Sequence, residues 1–568
     1  MDLHLGPERA SAAELAAIQR ALGEIGPAVL THGDRVVVGG SRRAQERRHL
    51  LLPGLWALQD AAGWISPGGL NSLCITLDVP PAEAYGVASF YDLLSTEAAP
   101  PVIVRVCDDL ACRLRNDDLE FAGLDLGEHR SSPCLGQCDR GAAALVQTAG
   151  APIRVVTQRA GASPVIEAPT GARLLRRICS EVDATTMTGY RALGGLAALE
   201  RAIGLGPDLV IEAVTGSGLL GRGGAAFPTG VKWRAVADEP AGEKHVVANA
   251  DESEPGTFKD RVLMEHDPFA LVEALTICGL AVGAEQGWIY VRGEYAIALE
   301  RLAVALDAAR AAGMLGAAVL GSDRRFDIEL RRGGGAYICG EETALLESIE
   351  GFRGEPRNKP PFPTTHGLFG KPTVINNVET LVNVLDVLVL GPEEWRRAGT
   401  IGSPGTRLFC LSGHVTRPGV YEHPLGVTLR QVIDDAGGTS GTGTLQAVLL
   451  GGAAGVLAGP DQLDVPLSFE GAREHGLTLG SGVVMLFDDS VELRGVVERA
   501  ARFFAHESCG QCVPCRVGTQ RQVEILARDE IDGGLLDDLD RVMTDASICG
   551  LGQTAASLVR SARAGGLL

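Results

Sequence analysis

Gly221-Arg222-Gly223-Gly224-Ala225-Ala226-Phe227-Pro228-Thr229-Gly230-Val231-Lys232-Trp233 places four glycines and one lysine in thirteen residues. A run so poor in side chains lets backbone N–H groups approach a phosphate closely, and a lysine near its end supplies a matching charge. It reads as a nucleotide-phosphate cradle; the plain alternative is a surface turn. The next thirty residues favour the cradle. Lys244-His245-Val246-Val247-Ala248-Asn249 reads as a short buried strand that runs into Ala250-Asp251-Glu252-Ser253-Glu254-Pro255-Gly256-Thr257. Three carboxylates and two small polar side chains at a strand's carboxyl end are costly to hold together unless they face solvent or a ligand. In open α/β sheets that edge is where ligands bind.

Gly216-Ser217-Gly218-Leu219-Leu220-Gly221 matches Gly-x-Gly-x-x-Gly and follows the apolar Leu209 to Val214. The dinucleotide fingerprint needs a helix opening at its third glycine, and here that helix would run into Gly223, Gly224, Pro228 and Gly230. The ordinary fingerprint is therefore rejected in favour of a different flavin or nucleotide cradle.

At 568 residues the chain is too long for one core. A formal net charge of −20 argues against a nucleic-acid surface. No apolar run reaches the length of a membrane span, and Met1 to Ala10 lacks a targeting pattern, so a cytoplasmic protein without direct membrane insertion is expected. Thirteen cysteines in a reducing compartment are not a disulfide framework. Five of them, Cys74, Cys179, Cys278, Cys339 and Cys410, read as small buried hydrophobes.

The other eight form two clusters. Cys107-x4-Cys112 and Cys134-x3-Cys138, beside strands at Val102 to Val106 and Ala142 to Val146, suit a [2Fe–2S] rhomb, with zinc as the competitor. Cys509-x2-Cys512-x2-Cys515 with a remote Cys549 suits a [4Fe–4S] cubane, because three thiolates from one tight loop can cap three corners; a four-cysteine zinc site is the rival there.

In chain order the pattern predicts a helical bundle over 1–98, with helices from a capping box at Ser11 to Glu14, from about His49 to Ile65, and from Pro81 to Phe90. The first cysteine domain follows over 99–183. Strands at Lys244 to Asn249, Trp288 to Arg292 and Phe326 to Arg331 alternate with helices such as Ala296 to Ala312 over 190–400, which implies a mostly parallel sheet. A small mixed α/β unit occupies 405–488 and a helical unit 490–568. Gly333-Gly334-Gly335 and Tyr337 suggest close approach of a planar ligand. Glu341 and Glu342 open a helix, Lys359 and Phe362 lie in a stiff proline-rich loop, and Asn376-Asn377 offers paired amides.

From about residue 200 onward these motifs resemble the NADH-binding, FMN-carrying subunit of respiratory complex I and the diaphorase subunits of NAD-reducing hydrogenases and NAD-dependent formate dehydrogenases. Asn249 to Gly256 and Ala336 to Thr343 carry the likeness. The first 180 or so residues resemble the small thioredoxin-like [2Fe–2S] partner of that flavoprotein, fused in front. The resemblance implies a multidomain α/β protein: N-terminal helical bundle, thioredoxin-like domain, Rossmann-like FMN domain, ubiquitin-like β-grasp domain and C-terminal helical cluster domain. It implies FMN against Gly221, Gly223, Gly224, Lys232, Asn249, Asp251, Glu252, Ser253, Tyr337, Gly340, Glu341, Asn376 and Asn377. The nicotinamide nucleotide would meet Phe227, Lys359, Phe362 and the two candidate catalytic carboxylates, Glu254 and Glu342.

Ala235 stands where many relatives carry an aromatic residue, and Cys549 is followed by Gly550-Leu551-Gly552-Gln553, which looks like the formate dehydrogenase and hydrogenase members. The expected activity is NAD(H)-dependent diaphorase within an NAD-reducing formate dehydrogenase. NAD-reducing hydrogenase or a complex I-like NADH dehydrogenase is the alternative, and a non-enzymatic iron–sulfur relay is the reading of another class. No motif holds molybdenum, tungsten, nickel or a quinone, so a catalytic partner subunit carrying that site and further iron–sulfur clusters is expected. Glu252, Glu254, Glu341 and Glu342 are expected to crowd negative charge and weaken nucleotide retention.

Overall fold

The computed structural model describes residues 6–23, 47–114, 127–158, 165–169, 171–240 and 242–568. The helical spacing of Leu15, Ile18, Leu22 and Ile25 reaches beyond them at Ile25, and 115–126 between Cys112 and Cys134 lies outside them.

The apolar run Val246-Val247-Ala248 is buried on both faces, as a central parallel strand requires. Its strand, His245–Ala250, lies inside a four-stranded, wholly parallel sheet in the order Asp327–Arg332, Gln286–Val291, His245–Ala250, Thr373–Asn377. The chain winds one way through the first three strands and then crosses to the other side of His245–Ala250. That reversal opens a crevice beyond the carboxyl ends of His245–Ala250 and Thr373–Asn377. Pro268–Val282, buried along its whole length, packs on this sheet with Val378–Leu390. The segment Leu209 to Val214 is part of the helix Pro207–Ser217, which ends at Gly218 in the left-handed region with φ 68°. The Gly-x-Gly-x-x-Gly match thus follows a helix and not a strand.

A second sheet runs Glu128–Ser132, Val102–Cys107, Ala143–Thr148, Arg154–Thr157, its first pair parallel and the rest antiparallel. Among the described residues four helices precede it: Ala12–Leu22, Leu51–Ala62, Pro67–Leu77 and Pro81–Ala88. The capping box at Ser11 and Glu14 is formed. The expected helix from about 49 to 65 stops at Ala62, and Ser66 caps a further helix the sequence reading passed over. Gly68 serves packing there, since a Cβ would sit 2.2 Å from the Arg9 carbonyl oxygen.

The third sheet has the order Val456–Ala458, Leu445–Leu450, Val483–Asp488, Thr406–Gly413, Gly419–Pro424, Val165–Glu167. Thr406–Gly413 and Val483–Asp488 form a parallel centre. The last strand comes from far earlier in the chain and pairs in parallel with Gly419–Pro424. Buried Glu422 then fixes the segment that follows, accepting from the Arg173 and Leu175 N–H groups at 3.0 Å each. The front of the chain is thereby strapped to its rear. Leu493–Glu507, Val513–Leu526, Gly533–Ala546, Gly550–Thr554 and Ser557–Ala564 close the chain. Among the described residues no helix is long and apolar enough to cross a membrane.

Candidate functional site

The glycine run forms a loop pinched at its base, with Gly221 N–H donating to the Phe227 carbonyl at 2.9 Å and Thr229 N–H to Leu219 at 3.0 Å. Arg222 N–H donates to Thr380 Oγ1 at 2.8 Å, and its side chain is fully buried. No described protein acceptor engages the N–H groups of Gly223, Gly224 or Ala225, and all three residues are exposed. A Cβ on Gly223 would meet Asn377 Cβ at 3.1 Å, whereas Gly224 has φ +128° and open space where a side chain would stand. A row of free donors on a bare loop at the mouth of a switch-point crevice fits a phosphorylated flavin. Gly230 has another purpose: a Cβ there would strike Thr215, so it lets the helix Thr229–Ala237 lie against Pro207–Ser217.

Asn249 and Gly340 come together across the crevice, Asn249 Nδ2 donating to the Gly340 carbonyl at 2.8 Å. Asp251 is buried at the strand end, with Ser253 Oγ donating to its carboxylate at 3.1 Å. Burial pushes its pKa up to about 8, against the opposing pull of Arg292. Lys232 donates to the Ile375 carbonyl at 3.0 Å and pairs with Glu342 at 3.5 Å. Lys359 pairs with Glu341 at 2.7 Å and Glu342 at 3.0 Å. Burial would raise the pKa of Glu342, but the two lysines outweigh it and hold the carboxyl below its ordinary value. Phe227 and Phe362 are 51% and 55% exposed at the rim, and the Lys232 ammonium stands 5.8 Å from the centre of the Phe227 ring.

Several side chains that the resemblance points at the flavin are engaged by the protein. Glu252 accepts from the N–H groups of Asp260 and Arg261 at 2.8 and 2.9 Å and so caps the helix Lys259–His266. Glu341 caps the helix Glu342–Ile349 through the N–H groups of Thr343 and Ala344. Asn376 Oδ1 accepts from Trp233 Nε1 at 2.8 Å; Asn377 caps the helix Val378–Leu390 and donates to Asp260 at 2.6 Å. The expected crowd of four negative charges is therefore thinner: two carboxylates cap helices, Glu341 and Glu342 are met by lysines, and burial lifts Glu254 to about 7.

Glu254 and Tyr337 lead towards the remote cysteines. Tyr337 Oη donates to Glu254 at 2.5 Å, its N–H donates to Glu507 at 2.9 Å, and its ring meets Phe503 edge-on at 5.0 Å. Two residues beyond Glu507 is Cys509. Cys512 and Cys549 stand at the N-caps of Val513–Leu526 and Gly550–Thr554; burial pushes the Cys549 thiol up to about 12, against the pull of the Leu551 and Gly552 N–H groups. Gly552 permits the two helices to meet, since a Cβ there would lie 2.9 Å from Cys515 Cβ. Cys515 neighbours Cys512 and Cys509, and Cys549 neighbours Cys509, so the four cysteines gather at two helix starts, a residue set that suits a cubane.

On the other side, Cys107, Cys112, Cys134 and Cys138 are each 1–3% exposed, with Cys134 and Cys138 sulfurs 3.5 Å apart. Cys107 ends a strand and Cys112 lies in the short helix Leu110–Arg113. A buried, all-sulfur set fits an iron–sulfur centre. Its loop docks on flavin-side residues that the sequence reading missed: Arg261 Nη2 donates to Asp139 at 2.7 Å, and Arg292 Nη2 to the Cys134 carbonyl at 2.7 Å. Arg292-Gly293-Glu294-Tyr295 directly follows the strand Gln286–Val291, and that position was the available signal. The acidic loop 251–257 therefore sits between the two cysteine quartets.

Four family matches accord with this layout: the Nuo51 FMN-binding domain over residues 214–386, the iron–sulfur binding region of NADH-ubiquinone oxidoreductase-F over 495–564, the thioredoxin-like [2Fe–2S] ferredoxin over 40–124 and the SLBB domain over 408–459. The F 2 component of the NADH-quinone oxidoreductase of Rhizobium meliloti is 44% identical over 388 residues, 67% of this chain and 92% of that protein. The HndC component of the NADP-reducing hydrogenase of Solidesulfovibrio fructosivorans is 41% identical over 396 residues, 68% of this chain and 81% of its own. A chain of the NAD+-reducing [NiFe]-hydrogenase in the H2-reduced state aligns with a TM-score of 0.76 and 34% identity, covering 91% of each chain. FMN, [4Fe–4S], [2Fe–2S] and NADH are the cofactors these domains indicate. The chain belongs to the FMN- and iron–sulfur-containing NADH oxidoreductase F family, with a thioredoxin-like [2Fe–2S] domain fused ahead of it.

Proposed function

We propose that this chain is the NAD(H)-dependent diaphorase module of a soluble, cytoplasmic NAD-reducing formate dehydrogenase. The observation that carries the diaphorase reading is the acidic loop 251–257, tied through Tyr337 and Glu507 to one cysteine quartet and through Arg292 to the other. FMN bound there supplies hydride exchange with a nicotinamide and single-electron exchange with the iron–sulfur centres. The chain's own residues align and exclude; none is needed as a nucleophile or strong acid. Loop 221–226 presents backbone donors to a phosphate, and the Phe227 and Phe362 rings flank the entry for the nicotinamide nucleotide. Glu254 and Glu342 would be the carboxylates that meet the nicotinamide, and Lys232 and Lys359 hold Glu342 in its charged form.

Of the two quartets, Cys509, Cys512, Cys515 and Cys549 would hold the cubane and Cys107, Cys112, Cys134 and Cys138 the two-iron centre. None of the thirteen cysteines is paired in a disulfide, which leaves both quartets available as ligands. We assign 405–488 a ubiquitin-like β-grasp, supported by its parallel central pair and its crossing helix Leu429–Asp435. A partner subunit with molybdenum or tungsten supplies the other half-reaction. Val513 and Val517, 58% and 44% exposed on the helix that starts at Cys512, give that partner an apolar landing beside the cubane.

Formate is favoured by the fused front domain taken together with the Gly550-Leu551-Gly552-Gln553 tail, a tail that the hydrogenase members share. Hydrogen is the second reading, favoured by the hydrogenase chain that aligns along nearly the whole sequence. Metal analysis of the complex purified with its native partners separates them: molybdenum or tungsten supports formate, and nickel overturns it. NADH-driven reduction of an artificial dye by the chain alone supports the diaphorase; a chain that binds both nucleotide and flavin but reduces no dye contradicts it.

Glu254→Gln tests the role of charge at the reacting edge. With its pKa near 7, about half of the Glu254 carboxyls are ionised at neutral pH. The variant is expected to bind NADH as tightly as the parent or up to about threefold more tightly, by a factor of the size a partial charge warrants. Clearly weaker binding in a fluorescence titration would remove electrostatic release from the account.

A further inference from the structure

The second sphere of the two-iron centre is completed by the flavin side of the molecule. Arg292, 3% exposed, follows the strand Gln286–Val291 and reaches two backbone carbonyls with one guanidinium: Cys134 at 2.7 Å through Nη2 and Glu252 at 2.8 Å through Nη1. Glu294 accepts from the same guanidinium at 3.1 and 3.2 Å, the buried counter-charge of the pair. The sulfur of Cys134 receives the N–H of Gly136 at 3.4 Å and that of Gly256, the latter from the acidic loop itself. Gly136, with φ +66°, lies so close to Tyr295 that a Cβ would fall 2.3 Å from its hydroxyl.

We propose that Arg292 is a positioning residue that sets the reduction potential of the [2Fe–2S] centre and locks that centre to the loop carrying the flavin and nucleotide. Adding an electron to a buried cluster adds a negative charge in a medium of low dielectric, where a fixed cation favours the reduced state and a fixed anion opposes it. Outer-shell groups of this kind tune a cluster as its ligands do. Arg292 and Glu294 thus act in opposite directions on one equilibrium. The guanidinium also holds the carbonyl of a cluster cysteine and the carbonyl of a flavin-loop residue at one point, so the two redox groups share a support. This inference rests on the assignment of Cys107, Cys112, Cys134 and Cys138 to the two-iron centre.

The test is a potentiometric titration of the full chain, purified without oxygen, with each centre followed by its paramagnetic resonance signal. Arg292→Gln is expected to lower the reduction equilibrium of the two-iron centre tenfold or more, about 59 mV for one electron, with the four-iron centre unmoved. Arg292→Lys restores part of that loss by returning the charge without the paired bonds. Glu294→Gln shifts the two-iron centre upwards. An unchanged or lowered potential in Glu294→Gln with the cluster intact overturns the proposal, as does a common shift of both centres in Arg292→Gln. Should Arg292→Gln lose its two-iron signal, Glu294→Gln decides alone. Absence of a two-iron signal in the unaltered chain contradicts the cysteine assignment instead, which keeps the two failures apart.

Discussion

Gly223→Val is expected to purify largely without flavin and to lose NADH-driven dye reduction by about 100-fold, the loss that follows when a reacting group is displaced by about an ångström. The first added carbon already meets Asn377 Cβ at 3.1 Å, closer than ordinary contact. Asn377 cannot retreat, because it caps Val378–Leu390 and donates to Asp260. Gly221→Ala is the control: its Cβ would lie 3.5 Å from Phe227, ordinary contact, and near-parental flavin content is expected. Comparable flavin content and activity in Gly223→Val and the parent would refute the phosphate cradle at this loop.

Arg261→Met is expected to release the loop 134–140 from the flavin side at a local cost of about 3–5 kcal/mol, the usual penalty for leaving a buried ion pair half made. Arg261 is fully buried and pairs with Asp139 at 2.7 Å and Glu265 at 3.2 Å. Its removal leaves the Asp139 carboxylate, itself with no exposed surface, beside Arg140 at 3.7 Å as the remaining cation. Methionine keeps the apolar stem and removes the charge, so packing loss is a small part of the effect. Hydrogen exchange reads the change directly, as faster exchange of amides in 134–140 with the parallel sheet unaltered. Equal protection in variant and parent would show that the docking does not depend on this arginine.

The parts of the site that the sequence disclosed are those whose chemistry is local. Three cysteines at Cys-x-x-Cys-x-x-Cys spacing, a glycine loop and an acidic strand end each lie within a dozen residues or so, and spacing alone carries their meaning. Three of the four parallel strands were equally open to reading, because runs such as Val246-Val247-Ala248 and Trp288 to Val291 are apolar and too short for helices; Thr373–Asn377, where Asn376 and Asn377 drew the reading to paired amides, was not. What escaped is long-range. Glu252 looks like a ligand in the sequence and is a helix cap in the fold, because its partners, Asp260 and Arg261, become a helix start only once the chain turns at Gly256. Arg292 and Arg261 look like ordinary surface cations until the front domain closes over them. Val165 to Glu167 is too short to mark itself as a strand, and only Gly419–Pro424, hundreds of residues away, makes it one. Ser66-Pro67-Gly68-Gly69 has the residues of a turn and forms a capped helix start, since Gly68 leaves room for the Arg9 backbone and Gly69 for the Glu14 and Leu58 side chains.

In the function proposed, one loop, residues 251–257, stands between a flavin-fed cubane and a two-iron centre in a single chain. Anaerobic purification followed by flavin, iron and sulfide analysis, then resonance spectra after NADH addition, tests it most directly. The account predicts about one FMN, six irons and six sulfides per chain, four of each inorganic element from one centre and two from the other, with both iron–sulfur signals arising after NADH addition. A colourless chain without flavin or sulfide, or one whose clusters stay oxidised in excess NADH, would contradict it.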